Sequence, residues 1–131
     1  MQIHQSAEDY LETILMLNQR MGRVRSIDVV NELGYTKASV SIAMKKLREN
    51  GYIAVDGEGN LTLLEPGREI AERIYSRHRL LTHFFVQLGV EEDIAAEDAC
   101  KAEHILSEQT LEKIREYALL HDAGKFESEE L

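Results

Sequence analysis

The stretch SIDVVNELGYTKASVSIAMKKLRENGYIAVDGEGNLTLL, residues 26–64, decides the fold because its apolar period changes partway along. Its first half has the spacing of two short helices, for which Ser26 and Thr36 are candidate N-caps. Gly34 lies between them, where a tight turn is expected. The second half alternates on either side of the turn-rich DGEGN at 56–60, and this pattern predicts a β-hairpin.

Upstream, residues 6–20 predict one more helix. Tyr10, Ile14 and Leu17 follow the i, i+4, i+7 spacing of an amphipathic helix, and Ser6 is its candidate N-cap. Three helices followed by a hairpin are the pattern of a winged helix-turn-helix, in which the third helix enters the major groove of DNA. We place this domain at residues 1–65.

Downstream, the pattern is helical again. Pro66 can open a long helix that Gly89 closes. A further helix is predicted over about residues 91–106, and Ser107 can cap a last one. Residues 66–131 are therefore expected to form a helical dimerisation and metal-binding domain that ends in a polar tail, so the fold class is mainly α.

Composition limits where the protein acts. The chain has 131 residues and a single cysteine, Cys100, so it forms no intrachain disulfide, and a reducing compartment is expected. Its start lacks the pattern of a secretory signal, and no segment approaches the roughly 18 apolar residues of a membrane span. We expect a cytoplasmic protein with no membrane partner.

Charge is unevenly distributed along the chain. Residues 20–48 contain seven basic side chains: Arg20, Arg23, Arg25, Lys37, Lys45, Lys46 and Arg48. Only Asp28 and Glu32 oppose them, so this stretch carries +5 and the remainder −14 within a net charge of −9. A basic face on an acidic protein favours double-stranded DNA as the partner. A solvated charge run is the alternative interpretation.

The third predicted helix has the side chains that DNA contact requires. Small hydroxyls in its first two turns can reach base edges or phosphates, and its lysines can contact phosphates. The candidate DNA-binding residues are Arg25, Thr36, Lys37, Ser39, Ser41, Lys45, Lys46 and Arg48. Polar helix faces are often only solvated, so the local positive charge is what favours DNA binding.

A second group of residues has metal-ligand chemistry. Asp9 and Glu12 share a face of the first helix, and Cys100, Glu103 and His104 share a face of the fifth. Midway along the fourth helix is a histidine, at position 78. Each residue taken alone has an ordinary structural explanation. Cys100 can be a small core residue, His78 can be a buried histidine, and the carboxylates can be surface acids. Together, thiolate, imidazole and carboxylate form a ligand set for first-row transition metals.

Four segments resemble one family over nearly the whole chain: SAEDYLETI, the helix-turn-helix, HRLL at 78–81 and CKAEHILS at 100–107. They are similar to the iron- and manganese-dependent repressors of the diphtheria-toxin-repressor and manganese-transport-regulator family. The resemblance implies a homodimer that binds palindromic operator DNA with Fe²⁺ or Mn²⁺ and represses metal-homeostasis genes. It also implies metal ligands at Asp9, Glu12, His78, Cys100, Glu103 and His104.

The resemblance combines two branches of that family. Asp9, Glu12 and the absence of an SH3-like third domain match the manganese branch, whereas Cys100 matches the iron branch. Thr82 stands where the iron branch has a glutamate of an ancillary site, so that site is not expected in its usual form. The thiolate gives Fe²⁺ a slight preference over Mn²⁺, with Co²⁺ and Zn²⁺ possible in vitro. His83 is a remaining candidate ligand, as is the histidine at 121, although packing or exposure is the expected role of both.

The proposed mechanism and its rivals follow from these residues. A metal bonded to Asp9 and Glu12 and also to the later ligands would fix the DNA-reading half and favour operator binding. One rival is a winged-helix regulator that senses oxidation through Cys100. Another is a small metalloenzyme, but the chain lacks H-E-x-x-H, a duplicated E-x-x-H and a phosphate-binding glycine loop. A structural adaptor leaves the basic stretch unexplained. We therefore expect a regulator with no small-molecule substrate and no enzymatic activity.

Overall fold

The computed structural model describes residues 5–122. This range contains six helices and a two-stranded antiparallel sheet: α1 (Gln5–Met21), α2 (Ser26–Leu33), α3 (Lys37–Glu49), β1 (Ile53–Val55), β2 (Leu61–Leu63), α4 (Glu65–Gln87), α5 (Glu92–Ala102) and α6 (Glu108–Leu120). The predicted mainly helical class is confirmed. None of these helices is both long and apolar enough to cross a membrane.

The chain divides into two compact units, of which one ends at Glu72 and the other begins at Arg73. The division falls inside α4, which continues without a break from Glu65 to Gln87. The domain boundary predicted after residue 65 stays a prediction.

The N-terminal unit is a winged helix-turn-helix, as predicted. The apolar stripe of α1 is buried, with Leu11 and Ile14 fully inaccessible, and α1 contacts α2, α3 and β2. The wing pairs Ile53 with Leu63 and Val55 with Leu61. The amide of Leu61 also donates to the carbonyl of Val24 at 2.7 Å, so the segment before α2 extends the hairpin.

Three of the predicted helix boundaries are confirmed by their caps. The hydroxyl of Thr36 accepts a hydrogen bond from Ser39 N at 3.1 Å at the start of α3. Ser107 does the same for Thr110 N at 3.2 Å at the start of α6. Gly34 ends α2 with a φ of 72°, the left-handed conformation that glycine adopts without strain.

Two predicted N-caps are wrong. Ser26 lies inside α2, whose N-cap is Arg25, because the carboxylate of Asp28 accepts a hydrogen bond from Arg25 N at 2.9 Å. Ser6 lies inside α1, which already includes Gln5.

The C-terminal unit packs α4, α5 and α6 around an apolar core of Leu80, Leu81, Ala99, Leu111 and Ala118. The fifth helix is shorter than the predicted range of 91–106, since α5 ends at Ala102. There the hydrogen bonds tighten: Ile105 N donates to the carbonyl of Ala102 at 3.1 Å, and the corner before α6 begins. Most of the predicted polar tail lies outside the described residues.

Candidate metal centre and nucleic-acid interface

The face of α3 that was predicted to contact DNA is exposed. Val40, Met44 and Leu47 form its buried stripe, which leaves the polar side chains on the opposite face. All eight predicted DNA-binding residues are exposed: Arg25, Thr36, Lys37, Ser39, Ser41, Lys45, Lys46 and Arg48. Two of them also have a structural role, because the hydroxyl of Thr36 donates to that of Ser39 at 2.9 Å within the N-cap.

Sequence reasoning missed one residue on this face. Ile42 is 58% exposed, although it is apolar, and it lies between the lysine pair and the start of α3. Helix geometry predicts this exposure, since a residue two positions after Val40 is turned about 200° away from the buried stripe. An apolar side chain in the middle of a basic face suits contact with a thymine methyl group.

The tip of the wing is an ordered acidic turn. Oδ1 of Asp56 accepts hydrogen bonds from Glu58 N at 2.8 Å and from Asn60 N at 2.9 Å, while Oδ2 accepts from Asn60 Nδ2 at 3.0 Å. These hydrogen bonds hold the pKa of Asp56 below its ordinary value, and the backbone amide of Asn60 has the largest effect. The guanidinium of Arg25 lies beside the turn, next to Gly59.

The metal-type residues of the C-terminal unit converge on Glu103. This side chain is fully buried, and its Oε2 lies 3.0 Å from His78 Nδ1. Its Oε1 faces His104 Nε2 at 3.5 Å, and the His104 side chain is only 2% exposed. Arg77 holds the corner, donating from Nη1 to the Glu103 carbonyl at 3.2 Å and pairing with the Glu108 carboxylate.

This arrangement fits a divalent metal. Oε1 of Glu103 is buried and has no hydrogen-bond partner among residues 5–122, and a buried carboxylate oxygen in that condition is costly without a cation. The 3.0 Å between the His78 nitrogen and the Glu103 oxygen suits two ligands that each bind one ion at roughly 2.0–2.2 Å. Glu103 therefore offers a metal one carboxylate oxygen beside His78 and the other beside His104.

The other three predicted ligands lie on α1 and α5. Asp9 and Glu12 lie one turn apart on α1 in the N-terminal unit, where Asp9 is half-buried and Glu12 is 6% exposed. Cys100 is exposed, so its interpretation as a core residue is wrong. Ala95 and Ala99 are fully buried on α5, and Glu103 continues their line one turn later, which leaves Cys100 beside the buried line.

Fold and site together define the class of metal-responsive winged-helix regulators. Residues 2–61 match the family described as "Iron dependent repressor, N-terminal DNA binding domain". Residues 64–119 match its partner, "Iron dependent repressor, metal binding and dimerisation domain". The chain belongs to this family of iron- and manganese-dependent transcriptional repressors.

Curated relatives are similar over most of their length. The chain is 35% identical over 113 residues to an HTH-type transcriptional regulator of Methanocaldococcus jannaschii, covering 85% of this chain and 90% of that protein. It is 32% identical over 116 residues to the transcriptional regulator MntR of Escherichia coli O6:H1, covering 88% and 75%. These matches give no support to the redox-sensing alternative.

Solved structures share the fold. A manganese-dependent transcriptional repressor in complex with manganese superimposes with a TM-score of 0.78 at 29% identity, covering 86% of this chain and 52% of that one. The manganese regulator SloR does so with a TM-score of 0.74 at 25% identity, covering 89% and 54%. The chain thus spans about half the length of these solved structures.

Proposed function

We propose that the protein is a homodimeric repressor that binds palindromic operator DNA when it holds Mn²⁺ or Fe²⁺ and so controls genes of metal uptake and homeostasis. The observation that carries this proposal is the buried carboxylate of Glu103 between two imidazoles, in a chain whose other unit is a DNA-binding winged helix. A transcription regulator of this kind acts in the cytoplasm and catalyses no reaction.

The proposed ligand set extends beyond the three residues of the C-terminal unit. Its members are Asp9, Glu12, His78, Cys100, Glu103 and His104. The slight preference for Fe²⁺ came from the thiolate, and the exposure of Cys100 weakens that argument. The remaining donors are carboxylates and imidazoles, which suit Mn²⁺ as well as Fe²⁺.

On the DNA side, α3 is proposed to read the major groove. Its lysines supply phosphate contacts, and its hydroxyls and Ile42 supply base contacts. The turn at the wing tip presents Asp56 and Glu58, whose charges repel phosphates. Contact through the wing is therefore proposed to involve Arg25 beside the turn rather than the acidic tip itself.

The link between metal and DNA is proposed to run through α1. A metal, when bound, would supply the positive charge that lets the carboxylates of Asp9, Glu12 and Glu103 act together as ligands. Asp9 and Glu12 belong to the DNA-binding unit and Glu103 belongs to the other unit, so shared ligation favours one arrangement of the dimer's recognition helices. Asp9→Ala is expected to keep the fold and lose metal-dependent DNA binding.

The test begins with anaerobic titration of the metal-stripped chain with Mn²⁺ and Fe²⁺, followed by DNA binding measured by fluorescence anisotropy. The probe is a palindromic duplex selected in vitro from a random pool with Mn²⁺ present. His78→Ala and Glu103→Gln should each weaken metal binding about 10-fold or more and remove the metal dependence of DNA binding. Cys100→Ala decides whether the thiol is a ligand.

Two control variants separate the functions. His121→Ala removes an exposed histidine and should bind metal and DNA as the native chain does. Lys45→Ala with Lys46→Ala should weaken DNA binding and reduce its salt dependence while leaving metal affinity unchanged. Metal-independent DNA binding by the native chain, or native metal affinity in both His78→Ala and Glu103→Gln, would show that the proposal is wrong.

A further inference from the structure

A second histidine–carboxylate pair lies in the C-terminal unit, away from Glu103. His83 on α4 places its Nε2 3.0 Å from Oδ1 of Asp122, which follows the C-cap of α6. Asp122 is 5% exposed, so its carboxylate is almost completely removed from water. The proposed metal centre uses none of these atoms.

The buried carboxylate of Asp122 is only half satisfied. Oδ1 faces His83 and lies 3.4 Å from Gln87 Nε2, which also donates to the carbonyl of Ala118 at 3.1 Å. Oδ2 has no hydrogen-bond partner within the described range, and neither has Oε1 of Gln87. The open Oδ2 of this buried carboxylate requires a donor or a cation, because leaving it unpaired costs free energy.

We propose that His83, Gln87 and Asp122 form a second site for a divalent first-row transition ion. The 3.0 Å between the imidazole nitrogen and the carboxylate oxygen suits two ligands that bind the same ion at roughly 2.0–2.2 Å. Oε1 of Gln87 becomes the third donor when the amide turns over, since Nε2 faces Oδ1 of Asp122 at 3.4 Å in this structure. The His83 side chain is 20% exposed, so water can reach the ion and complete its coordination.

The position of this site gives the ion a structural consequence. Two ligands come from α4 and one from the residue that follows the C-cap of α6, so a bound ion would cross-link the end of α6 to α4. This cross-link stabilises the C-terminal unit against unfolding, since the unfolded chain does not hold the three ligands together. The inference does not depend on the proposed repressor function.

The experiment uses the full chain with His78→Ala and Glu103→Gln, which together disable the first centre. Zn²⁺ and Mn²⁺ are titrated in competition with a weak chelator, and stoichiometry is measured by equilibrium dialysis. We expect about one ion per chain to remain bound. Adding Asp122→Asn or His83→Ala should weaken that binding about 10-fold or more, whereas adding His121→Ala should not.

A second measurement distinguishes an ion site from a hydrogen-bonded latch. Asp122→Asn keeps the size of the side chain, and its metal-free melting temperature shows whether the fold survives. With nitrogen-15-labelled histidine, Zn²⁺ should shift the ring nitrogens of His83 in the disabled background. An unchanged His83 signal, no residual ion, or binding unaffected by both variants overturns the inference. Loss of operator binding in His78→Ala alone tests the repressor function separately.

Discussion

Gly67 shows how one residue fixes the base of the wing. It lies in the first turn of α4, and a Cβ atom built on it would be 2.2 Å from the carbonyl oxygen of Tyr52 and 3.3 Å from Cδ2 of Leu11. The same carbonyl accepts a hydrogen bond from Leu64 N at 3.0 Å, so the backbone there is held and has no room to retreat. Only glycine allows this close approach.

We expect Gly67→Ala to lower the free energy of unfolding by about 1–3 kcal/mol, because the added methyl group overlaps backbone atoms. Urea denaturation followed by circular dichroism measures the change. Gly57→Ala is the matched control, since its Cβ would have no neighbour within 4 Å, and its effect should stay within about 0.5 kcal/mol. Equal effects of the two variants would contradict the packing argument.

Other single residues show where sequence reasoning succeeds and where it stops. The N-caps at Thr36 and Ser107 were predictable because each places a hydroxyl three residues before the amide that it accepts from. Ser26 has the residue type of a cap, but the carboxylate of Asp28 reaches back to Arg25 N and the N-cap is Arg25. The exposure of Cys100 could not be predicted from its spacing to Glu103. Burial depends on which face of α5 packs against the core, and the spacing alone does not determine that face.

At the scale of the elements, the turn of the β1–β2 hairpin depends on the charge of Asp56. Hydrogen bonds from the backbone amide and the side chain of Asn60, and then from the amide of Glu58, lower the pKa of Asp56, so the folded state binds the proton of this group less tightly than the unfolded chain does. The stabilisation is therefore complete above the ordinary aspartate pKa of about 3.9 and disappears as the pH falls through the lower folded-state value.

We expect the carboxyl carbon of Asp56 to titrate in NMR spectra with a midpoint below that of an unstructured aspartate. The amide signals of Glu58 and Asn60 should move with the same midpoint. Asp56→Asn keeps an acceptor oxygen and removes the titration, so both amides should become insensitive to pH in that range. An Asp56 midpoint at or above the ordinary value would refute this account.

The corner between α5 and α6 depends on Arg77. Its side chain is 14% exposed and contacts both the Glu103 carbonyl and the Glu108 carboxylate, so it fixes the turn that carries Glu103 and His104. Lysine lacks the planar fork needed to hold both groups. The corner itself was predicted as helix, because nothing in the local pattern shows that the chain turns at Glu103 rather than after Leu106.

We expect Arg77→Lys to lower Mn²⁺ affinity about 10-fold, as is typical when support for metal ligands is removed. The control is Arg79→Lys, because Arg79 is exposed and lies over the ring of Tyr75. Isothermal titration calorimetry with parallel thermal melts separates lost affinity from lost stability. If the two variants bind Mn²⁺ equally well, Arg77 does not position the ligands.

At the scale of the whole molecule, the sequence predicts local structure more readily than contacts between distant positions. The order of helices and strands was predictable because each element depends on nearby residues. The meeting of His78 with Glu103 joins positions 25 residues apart, and no local pattern specifies that contact. Ligand chemistry and family resemblance, rather than periodicity, supply the expectation that these residues serve one site.

Linkage predicts that the metal will stabilise the whole chain if it binds only the folded state. At a free Mn²⁺ concentration about 100 times its dissociation constant, the free energy of unfolding should rise by about 2.7 kcal/mol. Urea denaturation with and without Mn²⁺ measures this gain, which Glu103→Gln should largely remove.

In turn, if metal strengthens DNA binding about 100-fold, the selected duplex must strengthen Mn²⁺ binding by the same factor.

Helix α4 runs unbroken from Glu65 to Gln87 across the division at Glu72. The two units are therefore joined by a continuous helix and not by a loop at which the chain could be divided. Gly67 and the fully buried Ala71 already belong to the N-terminal unit. A chimera that joins this DNA-reading part to a foreign sensor therefore has to carry the first two turns of α4 with it. A fusion made directly after the wing would remove Gly67 and Ala71, which belong to the N-terminal unit.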